Sequence, residues 1–393
     1  MAFRSKLLLQ TPRRISFLSF AQVPAALLVA ALGVSPLAVT AASAKESLFP
    51  MTSKACRDWR SLTIDYRKTE TGMQTDQVAV VRGNGEILFS WADAPYKKSS
   101  PHQLWSVSKT VSSMLLATAI ADGKVKLTDK VTQYLSAAQR RNPFGASQFA
   151  AITLENLLEM TSGFKWSEHS TDGVEEASVL PMMYSEGYKN FTRYIFNVDM
   201  VAHPGKVWNY SSVNADLMMA VLNKVYRGAY DDFPWKNLFE PMAMKSARFE
   251  QDSAGVYLGG AYVYLSAEDM TKLGSLLLSD GVVNGRRLLP EGWVARSKEP
   301  VPASLAKIRS RADLQDFGVF SKGGWWLNRT VPGVGKPYPK SPETLLFADG
   351  YLGQWIAVLP EQGLVLARTG HERESAKHID KFISGAVACF GKK

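Results

Sequence analysis

The segment Ser106-Val107-Ser108-Lys109 places a hydroxyl three residues before an amine. Apolar residues at near-helical spacing follow it, so the pattern predicts a helix from about the serine to Gly123. Residues three apart share a helix face, which brings the amine of Lys109 beside the oxygen of Ser106. The unpaired N–H groups of a first helical turn also stabilise an oxyanion. The motif predicts a serine nucleophile whose base is a lysine that is at least partly uncharged.

A second Ser-x-x-Lys, Ser304–Lys307, follows a proline-rich stretch without a long helical pattern, and we interpret it as surface. A pattern this short occurs by chance in a chain of this length. A solvated helix start therefore remains the alternative interpretation of the first motif.

Tyr210 stands where a loop, Trp208–Asp216, leads into a strongly apolar helix predicted over Asn214–Val225. A phenol held beside a lysine ammonium is pushed towards phenolate, so it can relay the serine proton to the leaving group. The alternative is a buried tyrosine whose hydroxyl bonds to the backbone.

Strand patterns occur towards both ends of the chain, with helical patterns between them from Lys109 to about Tyr226 and a last helix from about Arg373 to Cys389. The predicted fold class is α+β: an antiparallel sheet from both chain ends, flanked by helices, with an inserted and mostly helical domain. The predicted strands are Gln77–Arg82, Glu86–Trp91, Leu345–Ala348, Gln354–Leu359 and Leu364–Ala367.

The predicted domains are a signal peptide at 1–44, a sheet-and-helix domain made of 45–105 and 260–393, and a mostly helical domain at 106–259. The first of these contains four basic residues, no acidic residue, an apolar run and the small-x-small sequence Ala42-Ser43-Ala44. We expect an exported protein, in the bacterial periplasm or secreted, whose mature chain starts near Lys45. An uncleaved anchor and the choice between Sec and twin-arginine export stay open.

The formal net charge is +10, and +6 remains once the four basic residues of the leader are removed. This modest charge does not indicate nucleic-acid binding. No mature segment approaches the roughly 18 uninterrupted apolar residues of a membrane span, so we expect a soluble mature protein. The only cysteines, Cys56 and Cys389, can pair in an oxidising compartment or remain buried free thiols.

Taken together, the Ser-x-x-Lys motif, the segment Leu154–Gly163 and the motif Tyr210-Ser211-Ser212 resemble the penicillin-recognising serine hydrolases. The likeness runs from about Val78 to Gly370. It is strongest to the class C β-lactamase-like branch, which includes esterases, D-stereospecific peptidases and nylon-oligomer hydrolases. This resemblance implies a β-lactamase/transpeptidase-like fold.

The resemblance also implies a Ser106 nucleophile, Lys109 as the base for acylation and Tyr210 as the partner that completes proton transfer. It places the oxyanion hole at the backbone N–H groups of Ser106 and Tyr351, and it involves no cofactor and no metal. In agreement, the five histidines show no metal-ligand spacing and are interpreted as surface or core residues. They are His102, His169, His203, His371 and His378.

Departures from the family pattern concern the substrate. Ser212 stands where penicillin-binding members carry an asparagine, and Ala348-Asp349-Gly350 is the counterpart of a motif that begins with a cation. Asp349 would repel a β-lactam carboxylate, which favours esters or uncharged amides. Arg368-Thr369-Gly370 imitates the missing motif, but one strand later.

Aromatic side chains crowd the expected cleft walls and suit an apolar or aryl substrate, although most such residues belong to ordinary cores. The substrate-binding candidates are Ser212, Trp166, Asp349, Gly350 and Trp105. The aromatic set comprises Trp105, Trp166, Tyr184, Tyr188, Trp208, Trp325, Trp326 and Tyr351.

The sequence thus predicts an exported serine hydrolase that cleaves a carboxylic ester or small amide through a Ser106 acyl-enzyme, with small molecules as its substrates. A β-lactamase or D,D-peptidase is the alternative within the same chemistry. A catalytically silent relative that binds cell-wall fragments or a partner is the alternative of another class. A Ser-His-Asp hydrolase is not indicated, because the chain has no G-x-S-x-G nucleophile elbow.

Overall fold

A seven-stranded antiparallel sheet dominates the computed structural model, which describes residues 49–65, 72–135, 146–168, 179–372 and 376–391. The strand order is β2-β1-β12-β11-β10-β9-β8, and two small sheets have the orders β3-β5-β4 and β6-β7. The strands are β1 Thr75–Arg82, β2 Ile87–Ala92, β3 His102–Gln103, β4 Arg248–Phe249, β5 Val263–Leu265, β6 Val282–Val283, β7 Arg286–Arg287, β8 Val319–Phe320, β9 Trp326–Leu327, β10 Leu346–Gly350, β11 Gln354–Leu359 and β12 Leu364–Gly370.

Helices cover both faces of the sheet and build the region between its two parts. They are α1 Lys54–Ile64, α2 Val107–Ala121, α3 Ala146–Ala151, α4 Leu154–Leu158, α5 Val179–Tyr184, α6 Phe191–Ile195, α7 Ser212–Tyr226, α8 Ala267–Leu278, α9 Trp293–Ser297, α10 Pro302–Leu305, α11 Arg311–Phe317 and α12 Ala376–Phe390. Short 3₁₀ turns lie at Val131–Gln133, Glu186–Lys189 and Arg227–Ala229, and a π-helical turn lies at Trp235–Phe239.

The central strands are apolar on both faces because helices bury both. Successive side chains of a strand point to opposite faces. Val80 and Leu366 accordingly lie in the core that α1 and α12 cover, whereas Ala79 and Ala367 lie in the core of the opposite face, which α8 and α2 cover. The same core continues into α7, so one apolar interior joins the sheet to the helical part of the chain.

The first and last helices are joined covalently on one face of the sheet. Cys56 of α1 and Cys389 of α12 form a disulfide whose Cα atoms are 4.7 Å apart. Beside it, Trp59 packs against Phe382 and Phe390 with ring centroids 5.8 and 5.0 Å apart. This linkage brings together parts of the chain that lie at opposite ends of the described sequence.

The predicted α+β fold class is confirmed: an antiparallel sheet drawn from distant parts of the chain carries flanking helices. The hairpin predicted around Gly83–Gly85 is the β1–β2 pair. Gly123 ends α2 with a φ of 67°, which glycine adopts without strain. The predicted signal peptide at 1–44 lies outside the described residues. Among the described helices, none combines the length and apolar character needed to cross a bilayer.

The interpretation of Ser304–Lys307 as surface was wrong for its serine. Ser304 lies in the short helix α10, is fully buried and accepts a hydrogen bond from the Phe320 N–H. The pattern lacked an apolar period because this helix has a single turn, too short to show one.

Candidate active site

Ser106 lies immediately before α2, and its hydroxyl does not cap that helix. The preceding residue, Trp105, has a φ of 49°, a left-handed conformation that is rare and strained for a bulky side chain. A hydroxyl that is not used for capping is free to contact side chains from neighbouring elements. The strained turn therefore presents the serine oxygen at the start of a buried helix.

Lys109 is the first partner of that hydroxyl. Its side chain is almost fully buried, and Nζ lies 2.9 Å from Ser106 Oγ. Nζ also donates to the carbonyl oxygen of Gly260 at 3.1 Å. A β-carbon at Gly260 would lie 2.9 Å from the β-carbon of Ser212, so only glycine fits between the lysine and α7. The predicted approach of Ser106 and Lys109 on one helix face is present.

Glu168 supplies the third acceptor for the lysine, and the sequence analysis did not identify it. Glu168 Oε1 lies 2.9 Å from Lys109 Nζ. The carboxylate also accepts hydrogen bonds from the Ser212 N–H at 2.8 Å, the Ser212 hydroxyl at 2.6 Å and the Trp166 indole N–H at 2.6 Å. An ammonium has three N–H donors, and all three now have acceptors.

These contacts change the expected roles of two substrate-binding candidates. Ser212 is buried, and its hydroxyl bonds to Glu168. Trp166 is also buried, and its indole bonds to the same carboxylate. Both residues therefore orient Glu168. In the second motif, Ser212 stands where penicillin-binding members carry an asparagine, and it binds Glu168 from another segment.

Tyr210 completes the cluster. Its ring centroid lies 4.9 Å from Lys109 Nζ, and the Ser106 side chain is close enough to the phenol to lower the pKa of Tyr210 in part. The ring is held by Trp326 and Phe320, with centroids 5.2 and 6.2 Å away. The structure thus brings Ser106, Lys109 and Tyr210 together, as the sequence analysis expected.

The charge states differ from those expected. Burial alone would lower the pKa of Lys109, but the interactions with its neighbours, above all the charge and hydrogen bond of Glu168, outweigh burial and the pKa is raised. Burial raises the pKa of Tyr210, and the Lys109 charge offsets this only in part. The pKa of Glu168 is lowered, because the effect of burial is exceeded by Lys109 and the hydrogen bonds. At rest the site holds an ammonium, a carboxylate and a neutral phenol, whereas the sequence analysis expected a partly uncharged amine.

Asp216 of α7 lies behind the lysine. Its Oδ1 accepts a hydrogen bond from the Gly260 N–H at 2.9 Å, and Oδ2 is buried without a hydrogen-bond partner among the described residues. Burial is the main reason that the pKa of Asp216 is raised to about 8. The carboxyl group is therefore mostly protonated at neutral pH, and it adds little negative charge to the site.

The end of β10 lies against the segment that leads to Ser106. A β-carbon at Gly350 would lie 2.3 Å from the carbonyl oxygen of Leu104 and 3.3 Å from Val107. The next residue, Tyr351, is 58% exposed and packs edge-on against Trp105 with ring centroids 5.4 Å apart. Among the described residues, neither the Tyr351 N–H nor the Ser106 N–H donates to a protein acceptor. Both N–H groups remain available to a ligand.

The two candidates for the third motif, Ala348-Asp349-Gly350 and Arg368-Thr369-Gly370, lie in different surroundings. β9 pairs only with Leu346 and Phe347 of β10, so it leaves uncovered one edge of Ala348-Asp349-Gly350, whose other edge pairs with β11. Burial raises the pKa of Asp349 to about 7. Arg368, in contrast, lies on the internal strand β12, is fully buried, and donates to the Gly353 carbonyl at 2.7 Å and to Glu372 at 3.0 Å. Its guanidinium does not replace the missing cation.

The predicted aromatic walls are divided between core and surface. Trp166, Trp208 and Trp325 are buried and belong to the core, whereas Tyr184, Tyr188 and Tyr351 are exposed. Tyr184 and Tyr351 lie close enough for each phenol to affect the other electrostatically. The exposed tyrosines are therefore the part of the set that a substrate can contact.

Comparison with known proteins gives a consistent assignment. The Beta-lactamase family model matches residues 61–381. The 6-aminohexanoate-dimer hydrolase of Paenarthrobacter ureafaciens is 24% identical over 283 residues, which are 66% of this chain and 67% of that protein. Protein flp of Staphylococcus aureus (strain MW2) is 24% identical over 176 residues, 43% of this chain but only 33% of that protein.

A family VIII carboxylesterase superposes with a TM-score of 0.63 at 12% identity, covering 86% of this chain and 98% of that one. At this identity the superposition shows a common fold. The family match spans α2, Tyr210 and the three central strands. The chain belongs to the Beta-lactamase family and is a serine hydrolase with that family's fold.

Proposed function

We propose that this protein is an exported hydrolase that cleaves a carboxylic ester or a small amide through an acyl-enzyme on Ser106. The observation that carries the proposal is the Ser106–Lys109–Glu168–Tyr210 cluster, in which the serine oxygen lies 2.9 Å from an amine that in turn contacts a carboxylate and the ring of a phenol. A nucleophile with partners at hydrogen-bond distance is the arrangement that covalent acyl transfer requires.

Acylation begins when Ser106 Oγ attacks the substrate carbonyl carbon. Because Lys109 rests as an ammonium, it accepts the serine proton only as it passes one of its own protons to Glu168 Oε1, 2.9 Å away. The carbonyl oxygen becomes an oxyanion, which the free N–H groups of Ser106 and Tyr351 stabilise. This makes Glu168 part of the proton path.

Collapse of the tetrahedral intermediate breaks the bond to the leaving group. Tyr210 donates its phenolic proton to the departing oxygen or nitrogen, Lys109 reprotonates the phenolate, and Glu168 returns the proton it received. The serine proton has then moved to the leaving group, and the three side chains have regained their resting states. Water hydrolyses the acyl-enzyme by the same steps in reverse order.

Ala348 and Asp349 indicate the substrate preference. Neither offers a cation to a substrate carboxylate, and Asp349 becomes negative as the pH rises through about 7. This environment disfavours anionic β-lactams and favours neutral substrates. Relatives named as an aminohexanoate-dimer hydrolase and a carboxylesterase support an amide or ester substrate.

A fluorophosphonate probe, followed by peptide mass analysis, tests the nucleophile. The adduct is expected on Ser106 and is expected to disappear in Ser106→Ala; an adduct elsewhere contradicts the proposal.

Lys109→Ala should abolish p-nitrophenyl ester turnover, whereas Lys307→Ala, which changes the other Ser-x-x-Lys, should retain it. No turnover by the unmodified enzyme of esters, anilides, lactones or nitrocefin would favour the catalytically silent alternative.

Nitrocefin separates the remaining alternatives. We expect short-chain aryl esters to be hydrolysed faster than nitrocefin, and the reverse order would favour a β-lactamase or D,D-peptidase.

Export is tested by N-terminal mass analysis of the protein recovered from the periplasmic fraction. A mature chain that starts near Lys45 is expected, and retention of the full chain in the cytoplasm would contradict export.

A further inference from the structure

Asp76, His102 and His371 converge on one point outside the Ser106 cluster. Asp76 Oδ2 lies 2.8 Å from His102 Nε2 and 2.6 Å from His371 Nδ1. The three ligand-capable atoms all lie within 4.8 Å of one another. Motif spacing detects only ligands that are close in sequence. The members of this cluster come from β1, β3 and the segment after β12, so their spacing did not reveal it.

We propose that these three side chains bind a divalent transition-metal ion of the zinc class. Two imidazole nitrogens and one carboxylate oxygen form a common ligand set for such ions, with remaining positions left for water. Zn–N and Zn–O bonds are about 2.0 to 2.2 Å long, so the two nitrogens need to move only slightly away from Asp76 Oδ2 for the three atoms to surround one ion. Binding replaces the two contacts to Asp76 Oδ2 with three bonds to the metal.

The surroundings of His102 suit a metal ligand. Its other ring nitrogen, Nδ1, lies 3.3 Å from the Gln103 carbonyl oxygen. When Nδ1–H donates to that carbonyl, the lone pair of the neutral imidazole is on Nε2, which faces Asp76 and His371. In the metal-free site a proton on Nε2 bonds to Asp76 Oδ2 at 2.8 Å instead, and the metal ion takes the place of that proton. The hydrogen bond therefore orients the nitrogen that a metal would use.

The exposure of the cluster and the charges around it also suit a metal ion. His371 is half exposed, which leaves one side of the cluster open to water and ions. The Tyr96 ring covers another side, with centroids 5.5 Å from His102 and 6.3 Å from His371. The Arg368 guanidinium interacts with Asp76 but is paired with Glu372 at 3.0 Å, so its charge is largely neutralised.

A metal here would fix two segments that lead to the active site. His102 precedes the strained turn at Trp105 by three residues. His371 is followed by Glu372, whose N–H donates to the Leu352 carbonyl at 3.0 Å and so holds the turn that contains Tyr351. The ion would be structural, because the ligands belong to a cluster separate from Ser106 and Lys109.

Isothermal titration calorimetry tests the proposal on the purified mature chain, prepared without a polyhistidine tag and freed of metal with a chelator. We expect Zn²⁺ to bind with a stoichiometry of one and Mg²⁺ to leave the titration unchanged. His371→Ala should weaken Zn²⁺ binding by about tenfold or more. His203→Ala changes an exposed histidine elsewhere and should bind like the unmodified protein.

Two results would overturn the proposal: no stoichiometric Zn²⁺ binding, or equal binding by the unmodified protein and His371→Ala. Because His371 is half exposed, its replacement is expected to preserve the fold, which circular dichroism checks. A second readout is the visible absorption of bound Co²⁺. It should be present in His203→Ala and absent in His371→Ala, and equal spectra in the two variants would also contradict the assignment.

Discussion

Lys109 Nζ lies 2.9 Å from Glu168 Oε1, and the same nitrogen lies 2.9 Å from the nucleophile oxygen of Ser106. The pair keeps the lysine protonated and the glutamate ionised in the free protein. A buried ion pair of this kind contributes little net stability, because desolvation offsets most of its attraction. Its significance lies in the proposed chemistry, in which Lys109 acts as a base only by exchanging protons with Glu168.

Glu168→Gln tests this proton path. The variant removes the carboxylate that receives the lysine proton, so we expect kcat at neutral pH to fall by about 10²- to 10⁴-fold. In the unmodified enzyme the lowered pKa of Glu168 should keep kcat/KM constant down to pH values below the ordinary glutamate range. In the variant, activity requires deprotonation of Lys109 itself, so the acidic limb of the pH profile should move to higher pH.

Glu250→Gln is the matched control, because Glu250 is an exposed residue that accepts a hydrogen bond from Tyr264. Its pH profile should match that of the unmodified enzyme. An acidic limb at the same pH in Glu168→Gln would show that Glu168 does not take part in proton transfer.

Tyr210→Phe removes one hydroxyl and leaves the ring that packs against Trp326 and Phe320. We expect kcat to fall by about 10²- to 10⁴-fold, since the leaving group loses its proton donor. KM and thermal stability should change little. Tyr264→Phe, which removes a hydroxyl bound to Glu250, is the control. Steady-state kinetics with an anilide substrate should show the largest loss, and undiminished turnover would assign the donor to another group.

Asp216→Asn should change how stability depends on pH. The pKa of Asp216 is about 8 in the folded protein and 3.8 as its ordinary value. Between these values the folded state holds a proton that the unfolded state has lost, so the stability of the unmodified protein falls as the pH rises. Asparagine retains an oxygen for the Gly260 N–H and does not titrate.

Relative to the unmodified protein, Asp216→Asn should therefore gain up to about 1 kcal/mol per pH unit between these values. Urea unfolding at a series of pH values measures the difference. Parallel stability curves for the two proteins would show that Asp216 is ionised in the folded state.

Gly350→Ala tests the approach of β10 to the nucleophile segment. The added carbon would lie 2.3 Å from the Leu104 carbonyl oxygen, so strand and segment must separate. We expect kcat/KM to fall by about tenfold or more, because even a displacement of about 1 Å can misplace a catalytic group. At Gly228 a β-carbon meets nothing within 4 Å, so Gly228→Ala should keep full activity. Equal kinetics in both variants would remove Tyr351 from the oxyanion site.

Local patterns predicted the parts of the site that lie on regular elements. The period of the apolar residues after Ser106 indicated α2, and the helix geometry then placed Lys109 beside the serine. The predicted strands Gln354–Leu359 and Leu364–Ala367 were equally visible as short apolar runs between turns, and the second continues to Gly370 in the structure. In each case a few adjacent residues determine the structure, so the sequence is sufficient.

Glu168 could not be predicted in this way. It reaches Lys109 from a loop after Phe164, and no periodic relation connects it to Ser106 or Tyr210. One signal was available: Ser212 replaces an amide side chain, and its hydroxyl is too short to satisfy a distant lysine, so another acceptor was needed. The expected charge state of Lys109 was wrong for the same reason, because it depends on this carboxylate. The expected shift of Tyr210 towards phenolate was wrong because burial of the phenol raises its pKa.

The bond between Cys56 and Cys389 turns most of the described chain into a covalent ring. The ring is closed on the sheet face opposite α2, away from the catalytic serine. A protease that cuts once within the ring therefore releases no fragment until a reductant is added. Such a nicked molecule also keeps β1 and β12 adjacent in the sheet. A single cut in an exposed loop is therefore compatible with retained activity.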